Sequence, residues 1–290
     1  MKHKIDPTVD CVFKALLGVE NNRNLLIHFL NAIIGSELSI PLETVEIISS
    51  FNEREFIDDK LSVVDVKAKD ANGHIYQVEI QVLSHADLTA RILYNWADIY
   101  SQQLQSGESF HKLKPAYSIW LLANNLIKDD NDYLHTYKIR DDKGRTLNNH
   151  SGIWLLEIQK FNVQQIENEQ QRWIKFFKEG KQLNDETALP DWMTTVEMRQ
   201  AMSTLKQFSE KEIDYHAYQA RQNFLREQAS REYRYEEAIK HKDAAVKDKE
   251  AAIKDKEAAQ EREQAALKLI QDKDEELNRL KDLLAKSNLH

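Results

Sequence analysis

All seven glycines of this 290-residue chain lie before residue 181, and the last of its four prolines is Pro190. The final hundred residues therefore hold neither helix breaker, and their sequence predicts helix. That asymmetry divides the chain. Residues 1–180 have the turn residues that a packed domain needs, 181–230 read as a helical region, and 231–290 as a charged helical tail.

The tail carries an internal repeat. Lys-Asp-Ala-Ala-Val (242–246), Lys-Asp-Lys-Glu-Ala-Ala-Ile (247–253) and Lys-Asp-Lys-Glu-Ala-Ala-Gln (254–260) recur at the coiled-coil period. Val246, Ile253, Gln260 and Leu267 would share one seam position, but Lys249, Lys256 and Glu263 fill its partner. Ile270, Leu277, Leu280 and Leu284 make a better seam near the end. Two readings stand side by side: a coiled-coil homodimer paired through this helix, and a single solvated helix held by Glu/Lys contacts one turn apart.

In the first 180 residues the apolar period alternates between helix and strand. Asp6-Pro7 predicts a helix cap with proline in the first turn, and Gly18 ends that helix. Asn22 to Ile34 predicts a second helix that buries Leu25, Leu26, Phe29, Leu30, Ile33 and Ile34 and stops at Gly35. Val45 to Phe51 reads as a strand, and Leu61 to Leu83 as two strands joined by a turn. From Asp87 to Ser106, Leu88, Ile92, Leu93, Trp96, Ile99, Tyr100 and Leu104 recur at helical spacing. Ala116 to Leu122 is almost wholly apolar, as in a strand buried on both faces. Tyr133 to Ile139 and Ile153 to Ile158 complete the set, while Trp154, Trp173, Phe176 and Phe177 should close a hydrophobic cluster. This order gives an α/β fold with a mixed sheet and a parallel crossover through the 87–106 helix.

The paired strands hold the candidate site. Alternation sets Asp65 on one face of the first strand and Gln77, Glu79 and Gln81 on one face of the second. A two-residue Asn72-Gly73 loop would pair Ala71 with His74 and send Asp65 and Glu79 to opposite faces. A three-residue loop, with Gly73 in the left-handed conformation, pairs Asp65 with Glu79, their Cβ atoms about 4.5–5.5 Å apart and able to share a cation. The three-residue loop is the expectation. Periodicity alone also fits a plain solvated polar face.

The single Cys11 excludes an intramolecular disulfide and a cysteine-based zinc site. No apolar run is long enough to span a membrane and no signal peptide begins the chain, so a soluble, cytoplasmic protein is expected. A formal net charge of −8 argues against coating nucleic acid by bulk charge, though not against one local basic groove. The ten histidines include no close metal-binding pair. His85 reads as a loop residue. His111, Lys112 and Lys114 form a basic group too small to mark a DNA track.

Taken in order, Pro7-x-x-Asp10-x-x-Phe13-Lys14-x-x-x-Gly18, Phe29-Leu30-Asn31, Asp65-Val66 and Glu79-Ile80-Gln81 resemble the Rpn-type recombination-promoting nucleases, also described as transposases. Arg91-x-x-Tyr94, Gln103-Leu104-x-x-Gly107-Glu108 and Leu113-x-Pro115 continue the resemblance, which covers about residues 5 to 178. These proteins fall in the PD-(D/E)XK superfamily, whose restriction-endonuclease-like core is an αβββαβ sheet. The resemblance implies a metal-dependent DNA endonuclease linked to recombination, mobile elements or phage defence. Asp65 and Glu79 would hold Mg²⁺, or Mn²⁺ in its place, with waters and the Ile80 carbonyl. Gln81 stands where the superfamily usually has lysine; it carries no charge and transfers no proton, so its implied role is to orient water or phosphate. Lys14 would supply the missing cation, sharing a helix face with Asp10, and Arg91 would clamp a phosphate. The alternative is a catalytically inactive nuclease-fold protein that binds DNA or assembles through its tail.

Overall fold

The computed structural model describes residues 1–48, 66–83, 87–183 and 189–287. Six strands, β1 (Val45–Ile47), β2 (Val66–Asp70), β3 (Ile75–Gln81), β4 (Ala116–Leu122), β5 (Leu134–Tyr137) and β6 (Ser151–Glu157), form one mixed sheet in the order β1-β2-β3-β4-β6-β5. The pairs β3–β4 and β4–β6 are parallel and the other three antiparallel. Helix α3 (Leu88–Ser101) connects the parallel neighbours β3 and β4. Every residue of β4 is buried, as its apolar run requires of a central strand.

Helices α1 (Asp10–Leu17), α2 (Arg23–Ile34), α4 (Glu169–Glu179) and α5 (Val196–Glu210) share one core with Tyr76, Val78 and Ile80 of β3 and Tyr117, Ile119 and Leu121 of β4. All six apolar residues expected of α2 are buried there. Trp173 and Phe177 meet Phe29 edge-to-face, Phe177 also meets Phe13 at a tilt, Phe176 stands edge-on to both Trp173 and Phe177, and Trp154 joins the same core. On the opposite face of the sheet α3 packs Leu88 and Ile92 against Trp120 and Leu122, and Trp96 donates its indole N–H to the Ala116 carbonyl at 2.9 Å.

Several boundaries differ from expectation for identifiable reasons. Asp6 and Pro7 form a turn before α1: the Thr8 N–H and hydroxyl both donate to Asp6 Oδ1, and the helix begins only at Asp10. Gly35 has φ −55° and leads into a 3-10 turn rather than a left-handed stop. Leu93, counted in the apolar stripe of α3, is 58% exposed, because the buried face runs through Leu88, Ile92, Asn95, Trp96 and Ile99 and Leu93 is out of phase with it. The β2–β3 turn has three residues: the Asp70 N–H donates to the His74 carbonyl, and Gly73 has φ +86°. Asp70 Oδ1 accepts from the Asn72 and His74 N–H groups at 2.9 Å each, so one carboxylate organises the turn.

Packing divides the chain into Met1–Arg226 and Glu227–His290. The core of the first unit takes in Met193, Met198, Ala201, Met202, Leu205 and Tyr218, residues that the sequence reading set apart within 181–230. The second unit is helical along its described length, as part of α6 (Glu212–Ser287). Within it Val246, Ile253, Leu267, Ile270, Leu277 and Leu280 are exposed. No helix among the described residues is long and apolar enough to cross a membrane.

Candidate active site

Strand β3 alternates Tyr76, Val78 and Ile80 toward the main core with Gln77, Glu79 and Gln81 toward α3. On a solvated strand face those three polar residues would be exposed. Instead Gln77 is 0%, Glu79 2% and Gln81 9% exposed. Burying a row of polar groups costs free energy unless each is paired, so their partners decide what this face is for.

The partners form two short relays. The Trp120 indole N–H donates to Ser118 Oγ at 2.9 Å, the Ser118 hydroxyl approaches Gln77 Oε1 at 3.4 Å, and Gln77 Nε2 donates to Glu79 Oε1 at 3.0 Å. This order fixes the Gln77 amide with its donor end on the carboxylate. In the second relay Arg91 Nη1 donates to Gln81 Oε1 at 3.1 Å, while Gln81 Nε2 donates to the Leu83 carbonyl at 2.6 Å. The Arg91 guanidinium also lies 5.6 Å from the Trp120 ring centroid, within cation–π range. Arg91 forms no ion pair among the described residues, and its guanidinium is the cationic partner of the glutamine at the lysine position.

One turn after Arg91 lies a residue that the sequence reading passed over. Asn95 is 1% exposed, and neither end of its amide has a hydrogen-bond partner among the described residues. An unsatisfied buried amide costs about 1–3 kcal/mol. The signal available in the sequence was its four-residue spacing from Arg91, which sets both on one side of α3.

The other expected residues are distributed as follows. Asp65 precedes the first described residue of β2 and lies outside the described residues, as does His85. The register that was to pair it with Glu79 is the one found next to it, with Val66 opposite Val78 and Lys67 opposite Gln77. Lys14 is half-buried on α1; Gly18, one turn on, lies close to β2, where an added Cβ would stand 3.3 Å from Val66 Cγ2. Asp10 is engaged by Arg221 of α6, whose Nε lies 2.9 Å from Oδ1 and 2.8 Å from Oδ2. Burial and the neighbouring Asp10 carboxylate push the Cys11 thiol up to about 11, which leaves it a poor nucleophile.

As donors for a metal, Glu79, Gln81 and the β3 backbone offer hard oxygens only, and the buried Glu79 carboxylate suits a hard divalent cation better than a softer transition metal. Among the described residues no three His, Cys, Asp or Glu side chains are gathered as a metal site. Glu79 is thus the acidic ligand that the described part of the face offers.

The element order helix, three strands, helix, strand, with a buried acidic residue on the third strand, defines an α/β protein with a nuclease-like core. The chain belongs to the PD-(D/E)XK nuclease family transposases, whose family model matches residues 7–236. No curated protein and no solved structure matches it. The family match runs past the expected limit at 178 and includes α4, α5 and the start of α6, in keeping with the extent of the first packed unit. Membership brings a nuclease-type function, with DNA as the substrate of the class and a divalent metal, typically Mg²⁺, as its general cofactor.

Proposed function

We propose that this protein is a metal-dependent DNA endonuclease that hydrolyses phosphodiester bonds at the β3 face. The observation that carries the proposal is the burial of Glu79 beside a glutamine that Arg91 holds in place. A charge of this kind is kept in a protein interior when it is paired or coordinates a metal. Asp65 and Glu79 would hold Mg²⁺, with Mn²⁺ able to replace it. Bound there, the ion would polarise the scissile phosphate and lower the pKa of a water nucleophile.

The protein's own residues do the rest. Gln77 orients the Glu79 carboxylate through the Trp120–Ser118 relay. Gln81 Oε1 keeps a second lone pair for a water, and the remaining N–H groups of Arg91 suit an anionic phosphate. Lys14 is a further candidate cation, on the same helix as Asp10, which Arg221 of α6 holds. Recombination, mobile elements or phage defence are the settings proposed for the activity. A second reading, DNA binding without cleavage, draws on Gln81, which cannot transfer a proton as lysine can.

The test is nicking of supercoiled plasmid by purified protein. Wild type should nick with Mg²⁺ and not with EDTA, Asp65→Ala and Glu79→Gln should abolish nicking, and Arg91→Ala should slow it by roughly 10²–10³-fold, the loss typical of one charge-stabilising donor. Equal activity in all four proteins would place the chemistry elsewhere. Binding without nicking by wild type would favour the second reading.

A further inference from the structure

Lysines from distant parts of the chain converge beside the β2–β3 hairpin. A cavity of about 390 Å³ is lined by Lys67 and Lys69 of β2, by Lys112 and Lys114 from the segment before β4, and by Gln102 and Gln103 after α3. The sequence shows only two separate lysine pairs; the sheet brings them to one place. Lys114 and Lys69 close over the turn, since a Cβ on Gly73 would stand 3.3 Å from Lys114 Cγ and 3.7 Å from Lys69 Cε.

The walls are held by the backbone. Gln103 clamps Lys114 from both sides, accepting its N–H and donating to its carbonyl at 2.9 Å each. Lys112 is neutralised by Glu108 at 2.7 Å. Lys67, Lys69 and Lys114 form no ion pair among the described residues. Glu46, which faces Lys69 in the β1–β2 register, does not form one with it. Three ammonium groups with no ion pair among the described residues thus line one cavity, in a chain whose net charge is −8.

Position supplies the second argument. Lys67 pairs with Gln77, the residue whose amide is bonded to Glu79. Two residues along a strand cover roughly 7 Å, so the basic cavity begins about that far from the buried carboxylate and on the same face of the sheet. A sugar-phosphate strand laid along that face toward Glu79 passes the lysines first.

We propose that this cavity is a binding site for non-scissile phosphates of the DNA backbone, with Lys67, Lys69 and Lys114 as the contacting residues. The proposal rests on the nuclease reading and names a surface outside its catalytic residues. Contacts of this type set affinity and register and carry no sequence information.

The test separates binding from cleavage. Full-length Glu79→Gln protein, with and without Lys67→Gln, Lys69→Gln and Lys114→Gln together, is titrated against a fluorescent DNA duplex in EDTA between 50 and 200 mM salt. Each lost phosphate contact should lower the slope of log affinity against log salt by about 0.9, so the triple change should lower it by roughly 2–3 and weaken binding about tenfold or more. A matched triple change at Lys128, Lys143 and Lys175, with the melting temperature of every variant, serves as control. An unchanged slope and affinity in a folded triple variant overturns the proposal. Plasmid nicking by the wild-type protein alongside that result would leave the nuclease reading standing.

Discussion

At the scale of single residues, two buried carboxylates in the sheet have opposite settings. Glu79 Oε1 accepts from the Gln77 side-chain amide. Glu157, at the end of β6, accepts from the N–H groups of Leu126 and Ile127, and Lys160 Nζ lies 2.5 Å from its Oε2. Burial alone would raise the Glu157 carboxyl, but the Lys160 hydrogen bond and those backbone donors outweigh it and hold it below the ordinary range. We read it as a structural anchor, because every partner is supplied by the fold. Glu157→Ala should destabilise the protein by about 3–5 kcal/mol, the cost of leaving Lys160 buried without its counter-charge. A depressed carboxyl pKa gives stability that is complete above the unfolded value near 4.3 and is lost as pH falls through the folded value. Urea midpoints measured from about pH 6 to pH 3 should therefore converge for wild type and variant at the acid end. A gap that stayed constant would remove Glu157 as the source. Polarity was legible at both positions. What the sequence did not show was the setting of each: Gln77, itself bonded to Ser118 of β4, beside Glu79, and His135, Lys160 and the Leu126 and Ile127 N–H groups around Glu157.

At the scale of elements, the β2–β3 hairpin decides whether a shared acidic site can exist. Gly73 takes the left-handed conformation, and a one-residue slip would turn every β2 side chain to the other face. Gly73→Val should cost about 1–2 kcal/mol or more, from the unfavourable φ and from contact with Lys114, and lower the melting temperature by roughly 2–8 °C. Gly73→Asn should cost less, because asparagine enters this conformation readily. Equal melting temperatures for glycine, asparagine and valine would show that the turn tolerates another shape. The loop length was readable in advance because only one register puts the acidic residues together. The phase of α3 was readable too, in Leu88, Ile92, Trp96 and Ile99, all buried; only docking on Trp120 and Leu122 settled that Leu93 faces out and the polar Asn95 in.

At the scale of the whole molecule, the tail raises the question of assembly. In the frame set by Val246, both seam positions are apolar only at Leu267 and Ile270, with Lys249, Lys256, Glu263, Asp274 or Lys281 occupying one of the two elsewhere; in the shifted frame Leu277, Leu280 and Leu284 add only a short seam near the end. Full-length protein and residues 1–230 should therefore show the same oligomeric state in sedimentation velocity at micromolar concentration, with the tail a solvated helix. A dimer lost on truncation would establish the coiled coil.

The sequence by itself determined the periodic features: strands at β3 and β4, helices α2 and α3, a breaker-free C-terminal helix, and the order of motifs that marks the family. These are local, because side-chain alternation and Gly/Pro placement act within a few residues. The tertiary structure decided what depends on contacts between distant segments. It buried the β3 polar row that alternation left as a solvated face, brought Arg91 to Gln81, carried the core through α5, and gathered Lys67, Lys69 and Lys114 around one cavity. Burial and charge clustering are sums over neighbours, and no single stretch of sequence contains its own neighbours.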